Sequence, residues 1–314
     1  MTRSLPLLVI ASLASTALAH SHIKLVYVEN ELYQGYDPRP NFPNFDNRVV
    51  WQHNAPDQGW VNGSHYNTPD IACHRDAVPP VAHAPVTAGQ AVGVHWAGWP
   101  RIHKGPVLSY IAPCTGTNDG CASVDSASLK WTVVDNAAPG QFSTQPDHDN
   151  GTWASDFLIG QSAETKPTAA NYTWQVRLPA GLKPGPYVLR NEIISLHYGN
   201  VPEEGGAQHY PFCVNIFVSA PTGATPAPFN LQNIASRDLY EVGHPGLFYD
   251  IAARPMPEYV LPGPPQAPGA DPVRPQDQYD APWDTGVKDG APVKVQGTTA
   301  VPFVAKRTAE AFAA

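Results

Sequence analysis

Cleavage of this chain after Ala19 would make His20 its first residue, and a histidine at a free N-terminus can do what an internal one cannot. Its α-amine, with an ordinary pKa of about 7.7 to 8.0, and its imidazole can chelate one metal ion together. A second imidazole would complete three nitrogens in a T, which suits Cu(II) better than tetrahedral Zn(II). His103 is the candidate, because the Gly105-Pro106 step after it can turn the chain and hold the ring at the end of the strand-like VLSYI. Further on, in GGAQHYPFCVNIFV, Gln208 and Tyr210 point to one side of an extended segment and His209 to the other. Any one of twelve histidines is more often a surface or core residue than a ligand, and a buried tyrosine is ordinary in a sandwich. These pieces carry weight only together.

The chelate depends on processing, and residues 1–19 have the anatomy of a secretory signal peptide: Arg3, an apolar run from Leu5 through Ala14, and the small-residue pattern Ala17-Leu18-Ala19. That run is too short to span a bilayer, and no other stretch approaches the ~20 apolar residues a spanning helix needs. A secreted, extracellular protein is expected. Its 27 acidic and 19 basic side chains give a net charge of −8, which disfavours nucleic acid and anionic membranes as partners and favours a neutral substrate. Sequons at Asn62, Asn150 and Asn171 fit the surface loops of a glycoprotein.

Four cysteines in an oxidising compartment suggest two disulfides, for which three connectivities exist. Cys114 and Cys121 flank TGTNDG, whose turn residues can bring them together, and this leaves Cys73 with Cys213. In the chain-entropy model the long loop is worth ~4 to 5 kcal/mol and the short one ~2 to 3.

The elements that must position these residues read as strands. AVGVHW, YTWQVRL and FCVNIFV alternate between two faces, while 35 prolines and 25 glycines break the chain into short segments. The expected fold is all-β, an antiparallel sandwich of immunoglobulin-like or fibronectin-like type. Long loops are expected from Gln34 to Asp70 and from Ala138 to Thr168. After Pro265 the Pro-rich composition cannot bury much apolar surface, so residues 266–314 are expected to form a disordered extension to a domain spanning 20–265.

In order and spacing, His20 followed by TPDIACH, AGQAVGVHWAGWPRIHKGPVLSYIAPC, LPAGLKPGPYVLRNEIISLH, GGAQHYPFCVNIFV, YEVGHPGLFYDI and YVLPGPP resembles the lytic polysaccharide monooxygenases of auxiliary activity family nine. These fungal enzymes were formerly placed in glycoside hydrolase family sixty-one. The resemblance covers His20 to about Pro265, and the cysteines fall where the family places its two bridges. It implies that His20 and His103 form a copper-binding histidine brace, that Tyr210 is the axial residue, and that His197 and Gln208 are the pair hydrogen-bonding oxygen species beside the metal. It implies Tyr240 as a substrate contact, with Tyr27, Tyr33 and Tyr36 near the other edge.

The implied activity is that of a monomeric enzyme holding one copper and acting on cellulose or a related β-glucan. Its mechanism would be reduction of Cu(II) to Cu(I) by an external donor, either a small reductant or a secreted dehydrogenase, activation of O2 or H2O2, and hydrogen abstraction at C1 or C4. A copper-binding or wall-associated protein without turnover is the alternative. Departures from the family pattern are His209, where an aromatic residue is common, the acidic pair in NVPEEGG, and His22, a competing imidazole close to the new terminus. The chain's end also lacks the cysteine-rich pattern of a small cellulose-binding module.

Overall fold

The computed structural model describes residues 21–29, 31–42, 44, 47–137, 153–159, 172–201, 206–223, 225–274 and 278. Two sheets face each other. The first has the order β2 (Glu31–Gln34), β1 (Ile23–Val28), β4 (Ala91–Trp96), β7 (Thr173–Arg177), and all its neighbours are antiparallel. The second has the order β10 (Ile234–Ala235), β6 (Lys130–Ala137), β5 (Val107–Pro113), β8 (Gly185–Ser195), β9 (Gln208–Ser219), β3 (Ala84–Thr87), and only β3 joins its neighbour in parallel. Two short helices, α1 (Asp70–Cys73) and α2 (Ala154–Ile159), lie in the connections. Among the described residues no helix is long and apolar enough to cross a membrane.

Alternation along the strands builds the core. Val94, Trp96, Trp174 and Val176 of the first sheet meet Val107, Ile193, Tyr210, Phe212 and Val214 of the second. The alternate residues of the second sheet, among them Leu108, Tyr110, Val188, Ile194 and Cys213, are buried as well, beneath a covering that includes Leu239, Tyr240 and Tyr249. With both faces covered, β8 and β9 are buried almost throughout. Buried indoles need acceptors, and two of these bonds cross between the sheets: Trp96 Nε1 donates to Asn191 Oδ1 at 3.0 Å and Trp174 Nε1 to Asp135 Oδ2 at 2.7 Å. Disulfides join Cys73 to Cys213 and Cys114 to Cys121.

The packed chain continues past Pro265, where composition placed the end of the domain. The Ala267 amide donates to Val133 O at 2.9 Å, Asp271 pairs with Arg177 at 2.8 Å, and Gln278 is buried. The Gln278 side chain accepts from Gln175 N at 2.6 Å and donates to Gln175 O at 3.3 Å, so one amide occupies both main-chain groups on the outer edge of β7. Composition misses this because the segment is held by hydrogen bonds to an edge strand as well as by apolar burial. The rest of the expected extension, like the signal segment, lies outside the described residues.

Candidate active site

One end of the β8–β9 pair gathers the residues singled out above. The register sets Ser195 opposite Gln208 and Ile193 opposite both Tyr210 and Val107. Three strands therefore bring Tyr210 level with the start of β5, and His103 lies four residues before that strand. Tyr210 is fully buried, its hydroxyl donates to Gln208 Oε1 at 2.9 Å, and burial pushes its pKa up. Two residues beyond Ser195, the His197 ring reaches the His103 ring, with centroids 3.8 Å apart and planes tilted by 33°.

Each ring is fixed from behind. His197 Nδ1 shares a hydrogen bond with Ser195 Oγ at 2.7 Å. Trp99 donates its indole N–H to His103 O at 2.8 Å and meets both the His103 and Tyr210 rings edge-on, at 6.0 and 5.0 Å. His103 N donates to Pro100 O at 3.0 Å. The imidazole, phenol and amide groups here are nitrogen and oxygen donors, a chemistry that fits copper. Among the described residues no three His, Cys, Asp or Glu side chains form a metal-holding group; His20, the other residue expected in the brace, lies outside them.

The N-terminal segment enters beside this loop. Ala97 N donates to His22 O at 2.9 Å. The His22 imidazole is buried and committed elsewhere: Nδ1 lies 2.9 Å from Gln58 Oε1 and Nε2 lies 3.4 Å from Asp37 Oδ2. Burial lowers its pKa, with Asp37 opposing the shift. These contacts remove His22 as a competing ligand.

Tyr240 requires a correction. It is buried on the outer side of β8, where its hydroxyl donates to Glu192 and lies 2.9 Å from the Tyr110 hydroxyl. A side chain so enclosed cannot offer a flat face to a sugar. Tyr27 and Tyr33 are buried too, and Tyr36 packs against the core. The exposed apolar side chains near the histidine pair are different ones: Tyr198 at 41% exposure, with its ring 4.3 Å from that of His197, and Ile102 at 70%, adjoining His103. Gly199 lies so close to the Tyr249 main chain that a Cβ would come within 2.7 Å of Tyr249 O, and Phe248, the residue before Tyr249, is exposed. An aromatic residue directly after SLH and before a Gly-Asn turn was the available signal for Tyr198.

His209 finds polar partners where an apolar aromatic ring would have none. Its Nδ1 lies 2.8 Å from Glu192 Oε1 and its Nε2 2.7 Å from the Tyr66 hydroxyl, and Glu192 is also paired with Arg190 at 2.8 Å. The expected sequon at Asn62 lies in a partly exposed turn where its Oδ1 accepts from Ser64 N at 3.2 Å, whereas Asn150 and Asn171 fall outside the described residues.

The profile of Auxiliary Activity family 9 (formerly GH61) matches residues 20–259. The chain belongs to this family. It is similar to AA9 family lytic polysaccharide monooxygenase A of Malbranchea cinnamomea, 36% identical over 264 residues that cover 83% of this chain and 72% of the relative. It is also similar to the enzyme of the same name from Thermoascus aurantiacus, 37% identical over 248 residues, 78% of this chain and 98% of that one. Among solved structures, the extended catalytic domain of H. jecorina LPMO9A aligns with a TM-score of 0.66 at 35% identity, covering 80% of this chain and 92% of that one. A cellulose-active polysaccharide monooxygenase from M. thermophila aligns with a TM-score of 0.62 at 25% identity, covering 80% of this chain and 100% of that one. As an AA9 enzyme the chain is a copper-dependent oxidoreductase acting on polysaccharide, with O2 or H2O2 and a reductant as co-substrates.

Proposed function

We propose that this AA9 enzyme is secreted and cleaves β-1,4-linked glucan, cellulose foremost, by oxidation at C1 or C4, with residues 20–265 carrying the catalysis. In this reading the amine and imidazole of His20, the imidazole of His103 and the phenol of Tyr210 would hold the copper. When bound there, copper supplies the one-electron chemistry by which O2 or H2O2 and a reductant oxidise a sugar C–H bond.

The chain's own residues set the conditions for that chemistry. Gln208 accepts from Tyr210 through Oε1, so its NH2 group is the donor it can aim at developing negative charge. His197 is oriented through Nδ1 by Ser195, and Nε2 is then the ring atom that exchanges a proton with a reacting oxygen. Trp99 packs edge-on against the His103 and Tyr210 rings and holds them in place. Tyr198, Phe248 and Ile102 offer exposed apolar surface on which the C–H faces of an uncharged sugar chain can stack.

The observation that carries this reading is the His103–His197 ring pair beside the Tyr210–Gln208 hydrogen bond. Cellulose is favoured because the similar M. thermophila monooxygenase is cellulose-active. Copper-loaded protein incubated with phosphoric-acid-swollen cellulose and ascorbate should release oxidised oligosaccharides, and mass spectrometry of the products assigns C1 or C4. Tight copper binding with no oxidised sugar from cellulose, xylan or mixed glucans would point instead to a copper carrier.

A further inference from the structure

The turn that presents His103 is held on two sides. On one side β8 and the residues after it grip its main chain: Leu196 N donates to Lys104 O at 2.8 Å and Ile194 N to Pro106 O at 3.1 Å. Gly105 is pressed so closely against this side that a Cβ would stand 1.8 Å from Ile194 O. On the other side the grip comes from α2, about fifty residues later in the chain. Gly105 N donates to Ser155 Oγ at 3.0 Å, and Ser155 N donates back to Gly105 O at 3.1 Å. The neighbouring Asp156 takes the Lys104 ammonium at 3.2 Å on Oδ2, and the same oxygen accepts from Trp153 N at 2.7 Å, which fixes the first turn of α2. Ser155 is buried and the Lys104–Asp156 pair nearly so, with side-chain exposures of 14% and 13%.

We propose that Ser155 and Asp156 are positioning residues for His103, with α2 acting as a clip that sets the imidazole at its distance from His197. The proposal rests on the reading of His103 as a copper ligand. Its physical basis is that both main-chain polar groups of Gly105 are buried against Ser155, so losing the Ser155 hydroxyl leaves the Gly105 N–H without its acceptor. The turn can recover a partner only by moving. His103 lies two residues away and moves with it, whereas His197, oriented by Ser195, stays. Groups that orient a metal ligand typically change affinity or activity by about 10- to 100-fold when removed.

The test uses full-length, correctly processed protein. Ser155→Ala should weaken Cu(II) binding about 10-fold by calorimetry and change the electron paramagnetic resonance spectrum of the loaded protein. Ser155→Thr retains the hydroxyl and should restore both. Asp156→Asn keeps the side-chain shape but weakens the hold on Lys104, so it should shift the spectrum in the same sense; it carries the test alone if Ser155→Ala does not fold. Ser236→Ala is the control for lost stability, because it removes the 2.9 Å acceptor of Trp131 Nε1 without touching the turn, and its spectrum should match wild type. Wild-type spectra and affinity in Ser155→Ala, or an equal change in Ser236→Ala, would overturn the proposal. The two readings fail separately. Copper binding intact in His103→Ala refutes the ligand assignment, whereas binding lost in His103→Ala but unchanged in Ser155→Ala refutes only the clip.

Discussion

Tyr210 and Gln208, alternate residues of one strand, share a hydrogen bond of 2.9 Å in which the phenol donates and the amide oxygen accepts. Gln208→Ala therefore removes an acceptor from a buried hydroxyl as well as a donor from the reaction space. Losing a buried hydrogen bond of this kind costs about 0.5–1.5 kcal/mol. We expect Gln208→Ala to lower product yield, reduce thermal stability and perturb the Cu(II) resonance spectrum. Gln208→Glu keeps an acceptor for Tyr210, so it should retain the copper affinity of wild type while still losing turnover. Calorimetry, spectra and oxidised-product yield on the two variants separate these effects.

The proposed chelate needs a free amine on His20. Protein carrying one extra residue before His20 should bind Cu(II) much more weakly than correctly cleaved protein, and titration calorimetry on the two forms measures the difference. Equal affinities would refute the brace. Mass spectrometry of native protein would also reveal methylation of the His20 ring, which the family resemblance implies.

Exposure separates two tyrosines that are alike in sequence. Tyr198→Ala removes an exposed ring beside the His197 imidazole, and stacking contacts of this kind are worth about 0.5–1.5 kcal/mol. Binding to cellulose should fall by roughly two- to tenfold, with the copper spectrum unchanged. Tyr240→Phe should do the reverse. Loss of the hydroxyl bonded to Glu192 and Tyr110 lowers the melting temperature, and cellulose binding stays at the wild-type level. Pull-down isotherms and thermal melts on both variants check the assignment.

Stability should respond to pH through groups of opposite sign. Burial lowers the pKa of His74 and of His95 to about 3. The native protein then keeps both rings neutral while the unfolded chain protonates them near 6.5. Their contribution is fully present above pH 6.5 and is lost as pH falls toward 3, at roughly 1.4 kcal/mol per unit for each ring. Burial raises Asp135 to about 7, with its hydrogen bond from Trp174 opposing. The unfolded carboxyl ionises above about 3.8 and the native one does not, so this contribution is lost as pH rises toward 7. The two histidines outweigh the one aspartate, and the melting temperature should climb between pH 4.5 and 6.5. Asp135→Asn keeps an acceptor for Trp174 and removes the opposing slope. Its melting temperature relative to wild type should grow from pH 4 to 7 and then level off; a constant offset across calorimetric scans would contradict the assignment.

Periodicity and motif order made much of this molecule legible. AVGVHW, YTWQVRL and FCVNIFV alternate as sandwich strands do, and they lie in β4, in and beside β7, and in β9. His103, His197, Gln208 and Tyr210 could be named because each stands in a motif of fixed order. Tyr240 misled because sequence shows that a tyrosine is present but not which way its hydroxyl faces, and here Glu192, 48 residues earlier, decides it. His209 looked anomalous for the same reason, since its partners Glu192 and Tyr66 come from distant segments. Ser155 and Gln278 were invisible because each acts on main-chain atoms of residues far away, Gly105 and Gln175, and such contacts leave no local pattern.

The amide of Gln278 does for β7 what a further strand would otherwise do. A sheet margin with open N–H and C=O groups is a template for another chain, and native proteins cover, charge or shorten such margins. Here the covering comes from beyond the point where composition alone would divide the protein, with Arg177 and Asp271 pinning it alongside. A shortened protein ending at Pro265 would keep every proposed catalytic side chain yet uncover the main chain of Gln175. Its weakness would appear first as self-association on standing or heating, while its chemistry in dilute solution stayed the same.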